Sequence, residues 1–434
     1  MRRTWLVGCV VALLSCTTQE QVPGADELPA DLQSHGRESV RLNLNESTEP
    51  TSGARLEVLK SAVEELRATR VIVPIGSFEP VVVGDEPLDP TSSGRREVRG
   101  VPMERFNRAD LQELVASRPE MAAMVYVDHL TNRDFLVLLD KDLIGRVATE
   151  MAALGQDRPS NDDVDPVVVE GSQWREKTLS GYADSRTRFG IADGWASNHS
   201  TLIKVGYRPG CTGGAIDPRL VLTAAHCIFN SSGDYVANST FQPRRDGATL
   251  PYGTKNISGS WYPLAYVTAD CNTDWDVTDC TKHDWAVSYT TSDVPGWFGL
   301  AWAGDSTVEG WSMRNIGYPG CSPNDAERPT GCIDQTAFGD ISGCNGAANN
   351  MVTDFTNSWP HNGDDAVLWT GCDVTGGHSG GPIYSYDVVE GGGPYLVAVL
   401  SAGQCGGTNC ARSAKSVRLT EGFYDYLLTL KADY

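Results

Sequence analysis

The order in which three reactive residue types occur limits the fold of this chain more than any other feature. In the run Gly376-Gly377-His378-Ser379-Gly380-Gly381-Pro382 a serine sits among small residues. Such a run suits a tight turn with an exposed hydroxyl, and Gly377 puts no Cβ between the backbone and a substrate carbonyl. The N–H groups of Gly377 and Ser379 are candidates for an oxyanion hole. Serine alone is a weak nucleophile, so a base and a group that orients the base are required. Both lie upstream. His226 closes the run Leu220-Val221-Leu222-Thr223-Ala224-Ala225-His226, and Asp284 stands just before the apolar Trp285-Ala286-Val287. Four other acids, Asp270, Asp274, Asp276 and Asp279, crowd a small Cys-bearing loop, whereas Asp284 leads into a strand-like stretch. The pattern Gly377-x-Ser379-x-Gly381 also fits the nucleophile elbow of α/β-hydrolases, whose order is Ser, acid, His. No histidine follows Ser379, which excludes that fold and leaves the order His226, Asp284, Ser379.

That order, with its flanking motifs, resembles the chymotrypsin-like (trypsin-like) serine peptidases over residues of about 180 to 430. Cys211-Thr212-Gly213-Gly214 and Val221-Leu222-Thr223-Ala224-Ala225-His226-Cys227 are similar to the family's histidine region. Gly317-Tyr318-Pro319-Gly320 resembles a strand-and-turn motif, and Asp373-Val374-Thr375-Gly376-Gly377-His378-Ser379-Gly380 resembles the serine region of the bacterial glutamyl-endopeptidase branch. The resemblance implies an all-β fold of two six-stranded antiparallel β-barrels, preceded here by a small α/β N-terminal region. It implies that His226 is the base, Asp284 its orienting acid and Ser379 the nucleophile, with Gly377 and Ser379 forming the oxyanion hole. It also implies a disulfide from Cys211 to Cys227 beneath the histidine.

For substrate binding, the resemblance points to Asp373, Ser401 and Gly403. Asp373 lies six residues before Ser379, where trypsin-like enzymes hold the acid that pairs with Lys or Arg. Ser401-Ala402-Gly403 would be the edge that pairs with substrate backbone. Glutamate-specific members use a histidine on this strand, and Leu400 stands near that place, so a glutamate preference is not expected. His378 replaces the aspartate that trypsin pairs with a freed N-terminal amine. Activation in that manner is therefore not expected, and the His378 side chain should turn away from Ser379.

The N-terminus reads as an export signal over residues 1–15, with Arg2 and Arg3 before the apolar stretch Trp5 to Leu14. Leu13-Leu14-Ser15-Cys16 resembles a bacterial lipobox, which makes Cys16 a candidate for lipidation and for membrane attachment through that lipid. Residues 16–53 are polar and tether-like. Residues 54–179 carry helical stripes and short apolar runs that read as an α/β pro-region or spacer domain. The helices fall near 54–70, near Leu111 and near Leu143, and the strands near 71–73, 81–83, 124–128 and 135–139. A polar stretch from Gln156 to Val169 reads as a linker. Residues 180–434 change to short strands with Gly, Pro, Asn and Asp turns, starting near Leu202 to Tyr207 and ending in a helix over Phe423 to Leu430.

A secreted or cell-envelope lipoprotein of a bacterium is the expected localisation, with a protein or peptide substrate and a monomeric state. Ten of the 12 cysteines lie between Cys211 and Cys410, which reads as a disulfide framework of an oxidising compartment. Cys271 with Cys280 and Cys405 with Cys410 are expected local closures. Cys321, Cys332, Cys344 and Cys372 leave three pairings open. No C-x-x-C pairs suggest zinc, and no metal or organic cofactor is expected. The formal net charge of −21 excludes a nucleic-acid binder, which needs Lys and Arg to neutralise phosphates. The rival reading is a catalytically inactive peptidase fold that binds peptides or envelope partners.

Overall fold

A computed structural model describes residues 50–77, 81–82, 108–160, 177–179, 182–184, 186–229, 236–237, 239–268, 278–321, 331–340, 344, 351–356, 365–389, 392–405 and 412–433. The signal segment, Cys16, Cys271 and Cys410 lie outside them, as do most of the tether and of the linker.

The first barrel is built from β4 (Val205–Arg208), β5 (Cys211–Asp217), β6 (Leu220–Thr223), β7 (Thr240–Pro243), β8 (Lys255–Pro263) and β9 (Ala286–Thr290). The pairing order β8-β7-β4-β5-β6-β9, closed by β8 with β9, makes a six-stranded antiparallel ring. A Cβ on Gly206 would sit 2.3 Å from the Phe241 ring, so the glycine lets that ring fill the barrel. The stretch from Leu202 was expected to be strand throughout. Its first residues, Leu202–Lys204, instead form a 3-10 turn before β4. Two consecutive buried side chains, Leu202 and Ile203, cannot both face inward from a strand.

The second half is a nine-stranded sheet. Its path runs through β10 (Arg314–Gly317), β11 (Phe338–Asp340), β12 (Met351–Thr356), β13 (Asp365–Thr370), β14 (Pro382–Ser385), β15 (Tyr395–Cys405) and β16 (Arg412–Arg418) in the order β12-β13-β16-β15-β14-β10-β11. Among the described residues this order stays open, so the second expected barrel is seen as a sheet. The two short additions are Thr187–Arg188 on β11 and Gly299–Leu300 on β15.

The N-terminal elements are α1 (Pro50–Thr69), β1 (Val71–Ser77), α2 (Arg108–Ala116), β2 (Met121–Asp128), β3 (Arg133–Asp140) and α3 (Lys141–Ala153). The stripe Leu59, Val63 and Leu66 of α1 is buried, as periodicity of 3.6 requires. Asp140 caps α3 by accepting from the Leu143 N–H at 3.0 Å. The strand order β1-β3-β2 continues directly into β8, so these strands extend the sheet of the first barrel. The C-terminal helix α4 (Glu421–Asp433) packs against α3. Three disulfides join Cys211 to Cys227, Cys321 to Cys332 and Cys344 to Cys372, which resolves the pairing of the last four. Cys280 is also disulfide-bonded, and its expected partner Cys271 lies outside the described residues. No described helix is long and apolar enough to cross a membrane.

Candidate active site

Barrel register brings the first two candidates together. In the antiparallel pair β6 and β9, Thr223 is the partner of Ala286. His226 lies three residues past Thr223 and Asp284 two residues before Ala286, so both fall at the same end of the ladder. His226 sits on the one-turn 3-10 helix Ala225–Cys227, pinned by the bridge to Cys211 on β5. The His226 Nδ1 lies 2.7 Å from Asp284 Oδ2, and the His226 backbone N–H donates to Oδ1 at 2.9 Å.

Asp284 is fully buried, and such a carboxylate is tolerable only when its lone pairs are occupied. A third donor completes the set: Ser401 Oγ donates to Asp284 Oδ2 at 2.6 Å. The sequence reading assigned Ser401 to substrate binding through its backbone. Its side chain bonds the acid in addition, a contact only the β15 geometry reveals. An ionised carboxylate accepts and never donates, so Nδ1 carries the ring proton and Nε2 is left as the proton acceptor.

Ser379 is half-buried at the turn before β14. Its Oγ lies 3.5 Å from the Ser401 carbonyl, and its own carbonyl accepts from the Thr212 N–H at 2.8 Å. The turn needs two left-handed glycines, Gly377 at φ 93° and Gly380 at φ 79°. A Cβ on Gly380 would fall 2.5 Å from the Thr212 carbonyl. Among the described residues, the N–H groups of Gly377 and Ser379 reach no hydrogen-bond acceptor, as an oxyanion site requires.

The sequence alone assigns Thr212 no role, because its contacts depend on register. Its Oγ1 donates to the Gly377 carbonyl at 2.8 Å and accepts from the Tyr318 N–H at 2.9 Å. One buried threonine thus ties the serine turn to the Tyr318 segment. Thr212→Val keeps the shape and strands both groups, which costs about 1–3 kcal/mol. Urea unfolding should show that loss, and Thr212→Ser should restore most of it. Equal stability of the valine variant would contradict this role.

His378 is fully buried, and a Cβ on Gly317 would meet its ring at 2.8 Å. Neither ring nitrogen has a hydrogen-bond partner among the described residues. Burial, aided by the Arg186 charge, pushes its pKa well below the usual histidine value, so the ring stays neutral. His129 is pushed down to about 4, by burial first and then by Arg208. Both histidines bind a proton more readily unfolded than folded, so stability should fall as pH drops below about 6.5. For His129 the fall continues to about pH 4. Melting temperatures between pH 7 and 4.5 should show it, with a shallower slope in His378→Leu. A flat profile would contradict the neutral assignment.

Of the expected substrate residues, Asp373 is buried and Gly403 exposed. A Cβ on Gly403 would lie 3.0 Å from Val374 Cγ2, so the residue after Asp373 packs beneath this strand. The β14 ladder ends at Pro382 with Val399, and 401–403 run on past it. Leu400 is buried in the core of the second sheet. Cys211, His226 and Cys227 cluster as possible metal donors. The two sulfurs are bonded to each other and offer no thiolate.

A closed six-stranded antiparallel β-barrel beside a second β-sheet is the chymotrypsin-like kind of fold. Residues 211–388 match the trypsin-like peptidase domain. That stretch of the chain is similar to trypsin-like peptidase domains, and the chain is similar to glutamyl endopeptidase. The glutamyl endopeptidase of Bacillus licheniformis is 27% identical over 258 residues, covering 57% of this chain and 68% of that protein. An extracellular metalloprotease of Bacillus subtilis is 25% identical over 144 residues, covering 31% of this chain and 43% of that protein. Among solved structures, a Glu endopeptidase aligns with a TM-score of 0.41 and 21% identity, over 59% of this chain and 100% of its own. The protease Anisep of Arthrobacter nicotinovorans aligns with a TM-score of 0.37 and 21% identity, over 54% and 98%.

Proposed function

We propose that this chain is an exported serine endopeptidase acting through an acyl-enzyme on Ser379. The observation that carries the reading is the buried Asp284 carboxylate, which receives His226 Nδ1, the His226 N–H and Ser401 Oγ. Such a carboxylate fixes one imidazole tautomer and stabilises the imidazolium that forms later. His226 Nε2 takes the Ser379 proton as Oγ bonds to the scissile carbonyl carbon. The Gly377 and Ser379 N–H groups receive the oxyanion. The C–N bond then breaks as Nε2 returns the proton to the amine. A water, deprotonated by the same nitrogen, releases the acyl group and regenerates Ser379.

Export is supported by the disulfides, by the signal-like N-terminus and by the extracellular relative. Lipidation at Cys16 belongs to the same reading, and loss of palmitate incorporation in Cys16→Ser tests it. The buried carboxylate of Asp373 favours Lys or Arg before the scissile bond by charge pairing. Peptide-library cleavage tests both function and specificity. Wild type should cut after Lys or Arg, Ser379→Ala should not cut, and Asp373→Asn should lose the cationic preference. Cleavage surviving Ser379→Ala would overturn the mechanism, and cleavage after Glu would overturn the specificity.

A further inference from the structure

Residues 50–160, including the Gln156–Ser160 start of the expected linker, precede the expected peptidase domain, yet three sets of contacts bind their described part to the residues around the candidate site. The β2 strand pairs along β8 from Asp128 with Gly259 to Met124 with Pro263. Tyr126 lies so close over Gly259 that a Cβ there would be 2.4 Å from its hydroxyl. Apolar side chains of the segment, among them Val125, Val127 and Leu136, form one core with Ala225, Ile228 and Phe229, which bracket His226. The third set runs through α4. Arg67 donates to the Asp433 carboxylate at 2.6 Å and to its carbonyl at 2.9 Å, and Arg70 lies 3.3 Å from the same carboxylate. Tyr424 donates to Asp157 at 3.0 Å, and Lys431 donates to the Gln156 carbonyl. The same helix places Phe423 4.2 Å and Tyr426 5.6 Å, centroid to centroid, from the Trp285 ring, the neighbour of Asp284.

We propose that residues 50–160 are a resident subdomain of the catalytic unit. They stay docked on the first barrel and α4 even when their covalent connection is cut, and they position the His226 turn and the Trp285–Asp284 step. A segment that shares its core cannot leave without exposing apolar side chains on both pieces. It would also leave one edge of β8 without its ladder partner. A pro-region made for removal would be expected to bury its own core and meet the enzyme through a smaller, more polar face.

The test uses the full-length chain with a specific protease site inserted between Asp165 and Pro166. After cutting, gel filtration without denaturant should show both pieces eluting together. Fluorophosphonate labelling of Ser379 should stay within about twofold of the uncut protein. Elution of the pieces apart, with labelling kept or lost, would overturn the proposal. In the cut protein, Arg67→Ala combined with Arg70→Ala should raise the dissociation constant of the pieces about tenfold, and no change would count against this interface. The labelling arm rests on the peptidase reading. Co-elution needs no catalysis, so a failure of docking is told apart from a failure of that reading.

Discussion

Asp284→Asn should lower kcat for peptide hydrolysis by about four orders of magnitude, or roughly 5.5 kcal/mol of transition-state stabilisation. The size follows from the donors around the group. Three donors converge on two carboxylate oxygens, one of them the His226 backbone N–H, which cannot change its role. An asparagine offers one oxygen and one NH2. The fixed backbone donor claims the oxygen, and the NH2 turns toward the imidazole. His226 Nδ1 must then accept, so the ring proton moves to Nε2 and the ring can no longer take the proton of Ser379. Ser401 can rotate its hydroxyl to suit, which keeps the fold intact. Substrate binding does not involve the tautomer, so KM should change little. A loss under tenfold would mean that Asp284 does not set the base.

Gly377→Ala should be the second large effect. At φ 93° an L side chain is strained, and the new Cβ would fall 2.4 Å from the Tyr318 carbonyl and 2.8 Å from the Gly320 N–H. These are backbone atoms, held because the Gly320 N–H donates to the Gly376 carbonyl at 2.7 Å. The turn must therefore rotate, and the Gly377 N–H swings with it. Removal of one oxyanion donor costs about 10² to 10³ in kcat, and the strain costs about 1–3 kcal/mol of stability. Kinetics and a urea titration on the same preparation measure both. A kcat within threefold of wild type would show that this N–H faces no oxyanion.

Much of this architecture was legible in the sequence. Residue order alone excluded one fold, and the stripe of Leu56, Leu59, Val63 and Leu66 pointed to α1, with Leu56 only half-buried. The role of Thr212 was not legible, because its bonds to Gly377 and Tyr318 join three distant segments. Ser401 was placed on the correct strand but without its bond to Asp284. The nearly continuous apolar runs of β2 and β3 mark strands buried on both faces, and they do not say what covers them. An isolated α/β domain and a sheet continuing into the barrel read alike. Four cysteines allow three pairings, and only proximity chose Cys321 with Cys332 and Cys344 with Cys372.

The central claim is that His226, held by Asp284, activates Ser379. Fluorophosphonate labelling of the purified full-length protein tests it most directly, beside Ser379→Ala and His226→Ala. The account predicts one covalent adduct on the wild-type protein, none on Ser379→Ala, and labelling slowed by at least a thousandfold in His226→Ala. A folded wild-type protein that takes no label, or equal labelling of all three proteins, would contradict it.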